Sequence, residues 1–540
     1  MTAALCALLP LGPAGAQSHG NATQRIAVAP SPESLIAAGD IGGMLAALES
    51  GRISSEALVQ EYLRLIASID DRGPMLNAVI ATYPDAIAQA QMLDAERRAG
   101  RIRGPLHGIP ILIKDNIEAI GPLPTTAGSL ALADNVTGRD APLVARLRNA
   151  GAIILGRTNL SEWANFRDND SSSGWSAVGG LTRNPHSLDR TACGSSSGSG
   201  AAVAAALAAA AIGTETDGSI VCPAGVNGVV GFKPTLGLIS RRHVVPISAS
   251  QDTAGPMTRS VRDAAILLSA MAGSDAQDAA TAGADAARGQ LATAATNPHA
   301  LRGMRIGVMR GWIGNDPRIA TLFDQAIAVL RGQGAVIVDI ASDGIDNEAL
   351  GEAEFAVLLT EFREDLNAYL ASLPHRHAGA PATLADLIAF NRTDPHELRW
   401  FGQRLFEQAE ATGATGGRNS DTYRTALATA RRLAGDEGID RLRQAHNVDI
   451  LLGVTNGPAW AIDLVNGDRF VGPSASQLPA VAGYPHLSVP MGQIQGLPIG
   501  LSFIGSRWAD AQVLNAGHAY EVARGRLPGP TLRRDVMTPP

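Results

Sequence analysis

Lysine is almost missing from this 540-residue chain: of its 44 Lys and Arg residues, only Lys114 and Lys233 are lysine. Arginine cannot release its proton inside a protein, whereas a buried lysine can. The two survivors therefore mark positions where arginine would not serve, or they are remnants of a coding bias; composition alone leaves both open. Cysteine is equally scarce, with Cys6, Cys193 and Cys222. That is too few for a disulfide-built fold, and no metal-ligand spacing appears. Neither a metal nor a cofactor is expected. Net charge is −7, without a basic tract or basic–aromatic interleaving, which argues against nucleic acid as a partner. No apolar run is long enough to span a bilayer, so no membrane association is expected.

The N-terminal stretch is apolar but broken by Pro10 and Pro13, and it ends in Ala14-Gly15-Ala16, a small-x-small cleavage pattern. It reads as a signal peptide over 1–16 without a basic start, the alternative being an Ala-rich leader. A linker over 17–32 and one large domain over 33–540 follow. The expected location is periplasmic or secreted. There Cys193 and Cys222 could pair, but the favoured reading is two small buried thiols.

Along the chain, helical and strand-like patterns alternate without an internal repeat, which favours an α/β fold in a single large domain. Helices are expected over 33–50, 54–69, 85–100, 143–150, 257–271, 352–373 and 509–524. The 384–437 stretch is mostly helical. Strands are expected over 77–82, 106–113, 152–155, 448–452, 486–491 and 500–504. Residues 305–340 read as a strand–helix–strand unit. The 273–297 segment, rich in Ala, Asp, Thr and Gly, reads as a solvated excursion, and His375-Arg376-His377 as a surface loop. His107, His186 and His486 have no partner at an evident spacing.

The most informative stretch is Thr191–Thr235. It opens on a Ser/Gly cluster, continues as an Ala-rich helix, and closes on a second Gly-Ser turn and the strand GFKPT. Ser195 and Ser219 bracket the helix, 24 residues apart. Gly-rich polar turns at both ends of an apolar element expose backbone N–H groups that need partners. The plain reading of either serine is a helix cap or turn residue. Lys114 ends the apolar run Ile109–Ile113, where desolvation favours the neutral amine. Lys233 reads as structural, paired with an acid or carbonyls. Gly194–Gly198 also fits G-x-S-x-G, with Ser196 as the nucleophile. That motif needs an apolar strand before it, and Ser187–Thr191 is not strand-like.

The GSSSG cluster, the TDGS turn, GFKPT and the upstream LIKDN together resemble the amidase signature family. The resemblance runs from about Leu45 to Gly505. NLSEWANFR, SGWSAVGGLTRNP and GTETDGSIVCPAG are similar to its peptide-amidase branch. The resemblance implies one α/β domain with a mixed central sheet and helices on both faces. It also implies Ser219 as nucleophile, Ser195 as bridging serine behind a cis Gly194–Ser195 peptide, and Lys114 as base. The backbone N–H groups of Thr216, Asp217, Gly218 and Ser219 would form an oxyanion hole. The irregular 159–185 stretch either lines the substrate cleft through Trp163, Asn165, Phe166, Arg167 and Trp175, or is an Ω-loop pinned by its tryptophans. The implied enzyme is a serine amidase that works through an acyl-enzyme and releases ammonia from C-terminally amidated peptides or similar small-molecule amides, and a monomer is expected. The alternatives are a general aliphatic or aryl acylamidase and the catalytic component of an acyl-tRNA amidotransferase, with a non-catalytic binder as the outlier.

Overall fold

The computed structural model describes residues 31–374 and 379–539. The expected leader over 1–16 with Cys6, almost all of the 17–32 linker and His375–His377 lie outside the described residues. Eleven strands make one sheet: β1 (Val79–Thr82), β2 (Pro110–Lys114), β3 (Ile153–Thr158), β4 (Ala210–Glu215), β5 (Val230–Lys233), β6 (Thr253–Thr258), β7 (Arg305–Met309), β8 (Val336–Ile340), β9 (Ile450–Val454), β10 (His486–Ile494) and β11 (Leu497–Ile504). Their order across the sheet is β1-β3-β2-β4-β6-β5-β10-β11-β9-β7-β8. The sheet is mixed: β3-β2-β4 and β9-β7-β8 are parallel, and the remaining neighbours are antiparallel. Helices cover both of its faces, the expected α/β architecture in one domain. β4 runs parallel to β2, and two antiparallel steps through β6 give β5 the same direction. Lys114, Glu215 and Lys233, each the last residue of its strand, therefore reach one edge of the sheet. The carboxyl ends of strands are the usual ligand edge of such sheets.

The Ala-rich run is not one helix. Ser197–Ala204 is helical, but Ala210–Glu215 is a strand between β2 and β6. A short apolar run buried on all sides has no periodicity to separate the two states. Alanine's helix preference loses here to the ladder on either side. A helix, Val221–Asn227, also intervenes between the second turn and β5. Pro223 fits within its first turn, where backbone N–H groups have no intrahelical partner.

Two more expectations change. Met257 belongs to β6, and the next helix runs Val261–Met271 behind a Ser260 cap whose side chain accepts from Asp263 N. The 273–297 segment is ordered: its helix Ala284–Leu291 buries Ala284, Ala287 and Leu291 in the main core. The strand–helix–strand unit is present as β7, Pro317–Gly332 and β8. A second core lies outside the sheet, where helices Asn347–Ala371, Leu384–Thr393 and Arg404–Ala411 close over Trp163 and Phe166.

Candidate active site

Lys114 is fully buried, and its surroundings are mostly hydroxyls. Its Nζ lies 2.7 Å from Ser195 Oγ, 3.0 Å from Ser196 Oγ and 2.9 Å from Thr214 Oγ1, with the Thr214 carbonyl at 3.3 Å. Burial pushes its pKa well below the usual lysine value, against the opposing pull of Glu215 and Asp252. Ser196 donates its own proton to the Thr214 carbonyl at 3.0 Å and accepts the Thr214 N–H at 3.1 Å. Asn116 donates to Thr214 Oγ1 at 2.9 Å. Ser196 is thus fully engaged in the core, which removes it as a free nucleophile. Ser187–Thr191 does form a short strand, but in a two-stranded ribbon with Arg183–Asn184, separate from the main sheet.

The two serine turns are tied together. The Gly194–Ser195 peptide is cis, as the resemblance implied. A Cβ on Gly194 would lie 2.0 Å from Ser161 Oγ, so a side chain there would force the Ser161 hydroxyl to move. Ser196 N donates to the Ser219 carbonyl at 3.1 Å. Cys193 and Cys222 form a disulfide, with Cα atoms 6.0 Å apart. This corrects the expectation of two free thiols. The sequence separates the pair by 29 residues, and only the return of the chain through β4 brings them together.

At the second turn, Gly218 takes φ +77°, a conformation that favours glycine. Glu215 Oε2 accepts from Ile220 N and Val221 N, at 2.7 and 3.0 Å, where the following helix begins. Among the described residues, the N–H groups of Thr216, Asp217, Gly218 and Ser219 donate to no other protein group, and no hydrogen bond joins the Ser219 hydroxyl to Ser195. A cavity of about 490 Å³ borders this region at Asn116, Thr214 and Thr216 and reaches Ala164 and Tyr369.

The aromatic residues expected in the cleft are packed inside the protein. Trp163 meets Phe406 edge-on at 5.7 Å, Phe166 meets Phe362 at 4.9 Å, and Trp175 meets Phe401 at 5.2 Å. Arg167 is fully buried, bonded to Glu162 at 2.5 Å and Glu397 at 3.2 Å, with its guanidinium over the Phe401 ring. Of the five, only Asn165 stays partly exposed, bonded to Ser171 and Ser173. The pinned-loop reading describes these side chains better than direct contact does. They hold three successive left-handed residues, Trp163, Ala164 and Asn165, at φ +51°, +54° and +72°. Such backbone persists only where packing over-determines it, and here it presents Ala164 to the cavity.

Sequence reasoning missed Thr214, Asn116 and the engagement of Ser196 around Lys114. The signal was there in part: Asn116 stands two residues after Lys114, and Thr214 shares a strand face with Ile212 just before the second turn. Each of the three histidines has a ring partner: His107 Nε2 meets Leu93 O at 2.9 Å, His186 Nε2 meets Asn227 O at 3.1 Å and His486 Nε2 meets Ser502 Oγ at 2.6 Å, while the buried His486 Nδ1 has no partner among the described residues. Among the described residues, no helix is long and apolar enough to cross a membrane.

The family model described as Amidase matches residues 57–514. The native peptide amidase from Stenotrophomonas maltophilia superimposes with a TM-score of 0.84 at 48% identity, covering 91% of this chain and 98% of that one. A probable amidase of Arabidopsis thaliana is 37% identical over 491 residues, 88% of either chain. A putative amidase of Schizosaccharomyces pombe is 35% identical over 504 residues, across 88% of this chain and 83% of its own. The chain belongs to the amidase family and is an amide-hydrolysing enzyme.

Proposed function

We propose that this enzyme removes ammonia from C-terminally amidated peptides through a Ser219–Ser195–Lys114 relay and an acyl-enzyme. The observation that carries the relay is the set of partners around Lys114. A neutral amine has two N–H donors and one lone pair. Ser196 Oγ and Thr214 Oγ1, at 3.0 and 2.9 Å, accept the two N–H groups ahead of the more distant Thr214 carbonyl at 3.3 Å, which leaves the lone pair for the Ser195 proton at 2.7 Å. An amide needs an activated nucleophile, an oxyanion site and a proton for the departing nitrogen. In this reading, Ser219 Oγ attacks the carbonyl carbon and passes its proton to Ser195, whose own proton moves to Lys114 Nζ. The free N–H groups of Thr216–Ser219 take the oxyanion. Collapse breaks the C–N bond while Ser195 protonates the nitrogen and Lys114 restores Ser195. Water then cleaves the Ser219 ester by the same relay.

The peptide preference rests on the 159–185 segment, on the cavity it borders and on the similarity to peptide amidase. Export to an oxidising compartment, periplasmic or extracellular, is supported by the Cys193–Cys222 disulfide. The test is ammonia release from a short amidated peptide, beside a simple aliphatic amide and an internal peptide bond, with Ser219→Ala as control. Fast deamidation without internal cleavage is expected, abolished in Ser219→Ala. Turnover of only the small amide would instead make the enzyme a general acylamidase.

A further inference from the structure

The Thr216–Ser219 turn is held by a buried side-chain brace that comes from three distant parts of the chain. Gln251 and Asp252 stand directly before β6, which pairs with β4 so that Thr253 faces Glu215. That register sets both residues against the turn. Asp252 Oδ1 accepts the Thr216 hydroxyl at 2.6 Å, and Gln251 Nε2 donates to the Thr216 carbonyl at 3.3 Å. The same Gln251 Nε2 donates to Glu354 Oε1 at 2.8 Å, while Gln477 Nε2 donates to Glu354 Oε2 at 2.8 Å. Glu354 belongs to the Asn347–Ala371 helix of the second core, and Gln477 opens the short helix Gln477–Val481. Next to Gln477, Ser476 lies against the turn itself: a Cβ on Gly218 would be 3.2 Å from Ser476 Oγ.

Glu354 is thus the keystone of this brace. It is 5% exposed, and its carboxyl oxygens are held by the two glutamine amides. A buried carboxyl is costly unless hydrogen bonds compensate it, and here the two glutamine amides supply them. Its neighbours on the same helix, Leu350, Ala353 and Val357, are buried and apolar, so the carboxyl serves the two glutamines rather than its own helix.

We propose that Glu354, Gln251 and Gln477 are positioning residues that hold the Thr216–Ser219 backbone in the arrangement that receives the oxyanion. The inference rests on the proposed function of that turn. Oxyanion stabilisation depends on donors fixed in advance of reaction. The brace acts on the Thr216 carbonyl, on the opposite side of the peptide unit from the Asp217 N–H, and so fixes the plane of that peptide. It thereby couples the helical cap to the chemistry at the sheet edge.

The test compares Glu354→Leu, Gln251→Leu and Glu354→Gln in the full-length enzyme. Three readouts are needed: kcat and KM for an amidated peptide, inhibition by a peptide aldehyde, and thermal unfolding. An aldehyde carbonyl accepts the serine oxygen and puts an oxyanion on the turn, so its affinity reports the turn directly. Loss of one buried hydrogen bond that aims the turn is expected to cost about tenfold. Glu354→Leu and Gln251→Leu should each lower kcat and aldehyde affinity by that same factor, with KM within about twofold. Glu354→Gln should recover most of the loss, because Gln477 can turn its amide to match the new side chain. Unchanged kcat and aldehyde affinity in a folded Glu354→Leu or Gln251→Leu enzyme would overturn the inference. A purely structural role would lower the melting temperature alone, and that result would overturn it too. If Glu354→Leu does not fold, Gln251→Leu decides by itself. Failure of the underlying reading is separate: it would appear as activity surviving Ser219→Ala.

Discussion

Lys114 and Lys233 are both fully buried at the ends of interior strands, yet their surroundings differ in kind. Lys114 sits among three hydroxyls and a carbonyl. Lys233 donates to the Pro234 carbonyl at 3.2 Å and feels the carboxyls of Glu215, Asp510 and Asp217. Burial lowers both pKa values, but the three carboxyls hold Lys233 to about 8, whereas Lys114 falls well below its ordinary value. Glu215 lies between the two and pulls on each. The same residue type, at the same depth, is the proton acceptor of the proposed relay in one place and faces three carboxyls in the other. Desolvation is common to both, and it is opposed by two carboxyls at Lys114, Glu215 and Asp252, and by three at Lys233.

This contrast can be broken at either end. The largest effect is expected at Lys114. Lys114→Ala should lower kcat by about a thousandfold or more, the scale of a lost general base. Lys114→Arg should not restore it, since arginine keeps its proton. An active Lys114→Ala enzyme would end the relay proposal. At the other end, Lys233→Met removes the positive charge beside Glu215, Asp217 and Asp510 and should cost about 1–3 kcal/mol of stability, measured by denaturant unfolding. Its folded fraction should keep most of its kcat. A stable but inactive Lys233→Met protein would show the comparison to be drawn the wrong way round.

The disulfide sharpens the Lys114 side, because it ties the turn of Ser195 to that of Ser219. Replacing both Cys193 and Cys222 with alanine should lower stability by about 2–4 kcal/mol. The smallest effect is graded with pH. In the proposed relay the Lys114 amine acts only when neutral, and below its lowered pKa it takes up a proton and loses its lone pair. The rate should therefore be flat above that pKa and fall on acidification by about tenfold per pH unit. Lys233→Met should keep this acid limb. If the limb moved with Lys233→Met while Lys114 was intact, the base would be misassigned.

Legibility in the sequence followed the strength of local pattern. The strand–helix–strand unit over 305–340 is readable because its periods, and Gly332 and Gly334 where the helix closes, are local. The split of the Ala-rich run is not, because alanine suits either state and only the flanking strands decide. The 273–297 segment reads as solvated because its composition is polar and small, but its few apolar residues share one helix face against the core. At the site, motifs single out Lys114, Ser195 and Ser219, and the structure brings Ser195 against Lys114 and ties the Ser195 and Ser219 turns together. Trp163, Phe166, Arg167 and Trp175 stand out by their type, but type does not say whether a side chain faces a cleft or a second core.

By itself, the sequence determined the chemistry on offer: two lysines, two Gly-Ser turns and an apolar strand ending in Lys114, all of them local. It also determined the family, since short motifs at fixed spacing survive without knowledge of the fold. The tertiary structure alone decided which partners each group meets. Register between β4 and β6 put Gln251 and Asp252 on the turn, and the return of the chain through β4 joined Cys193 to Cys222. The carboxyls gathered around Lys233 come from separate segments of the chain. A pKa is set by burial and by neighbouring charge, and both are properties of distance in space that residue order does not contain.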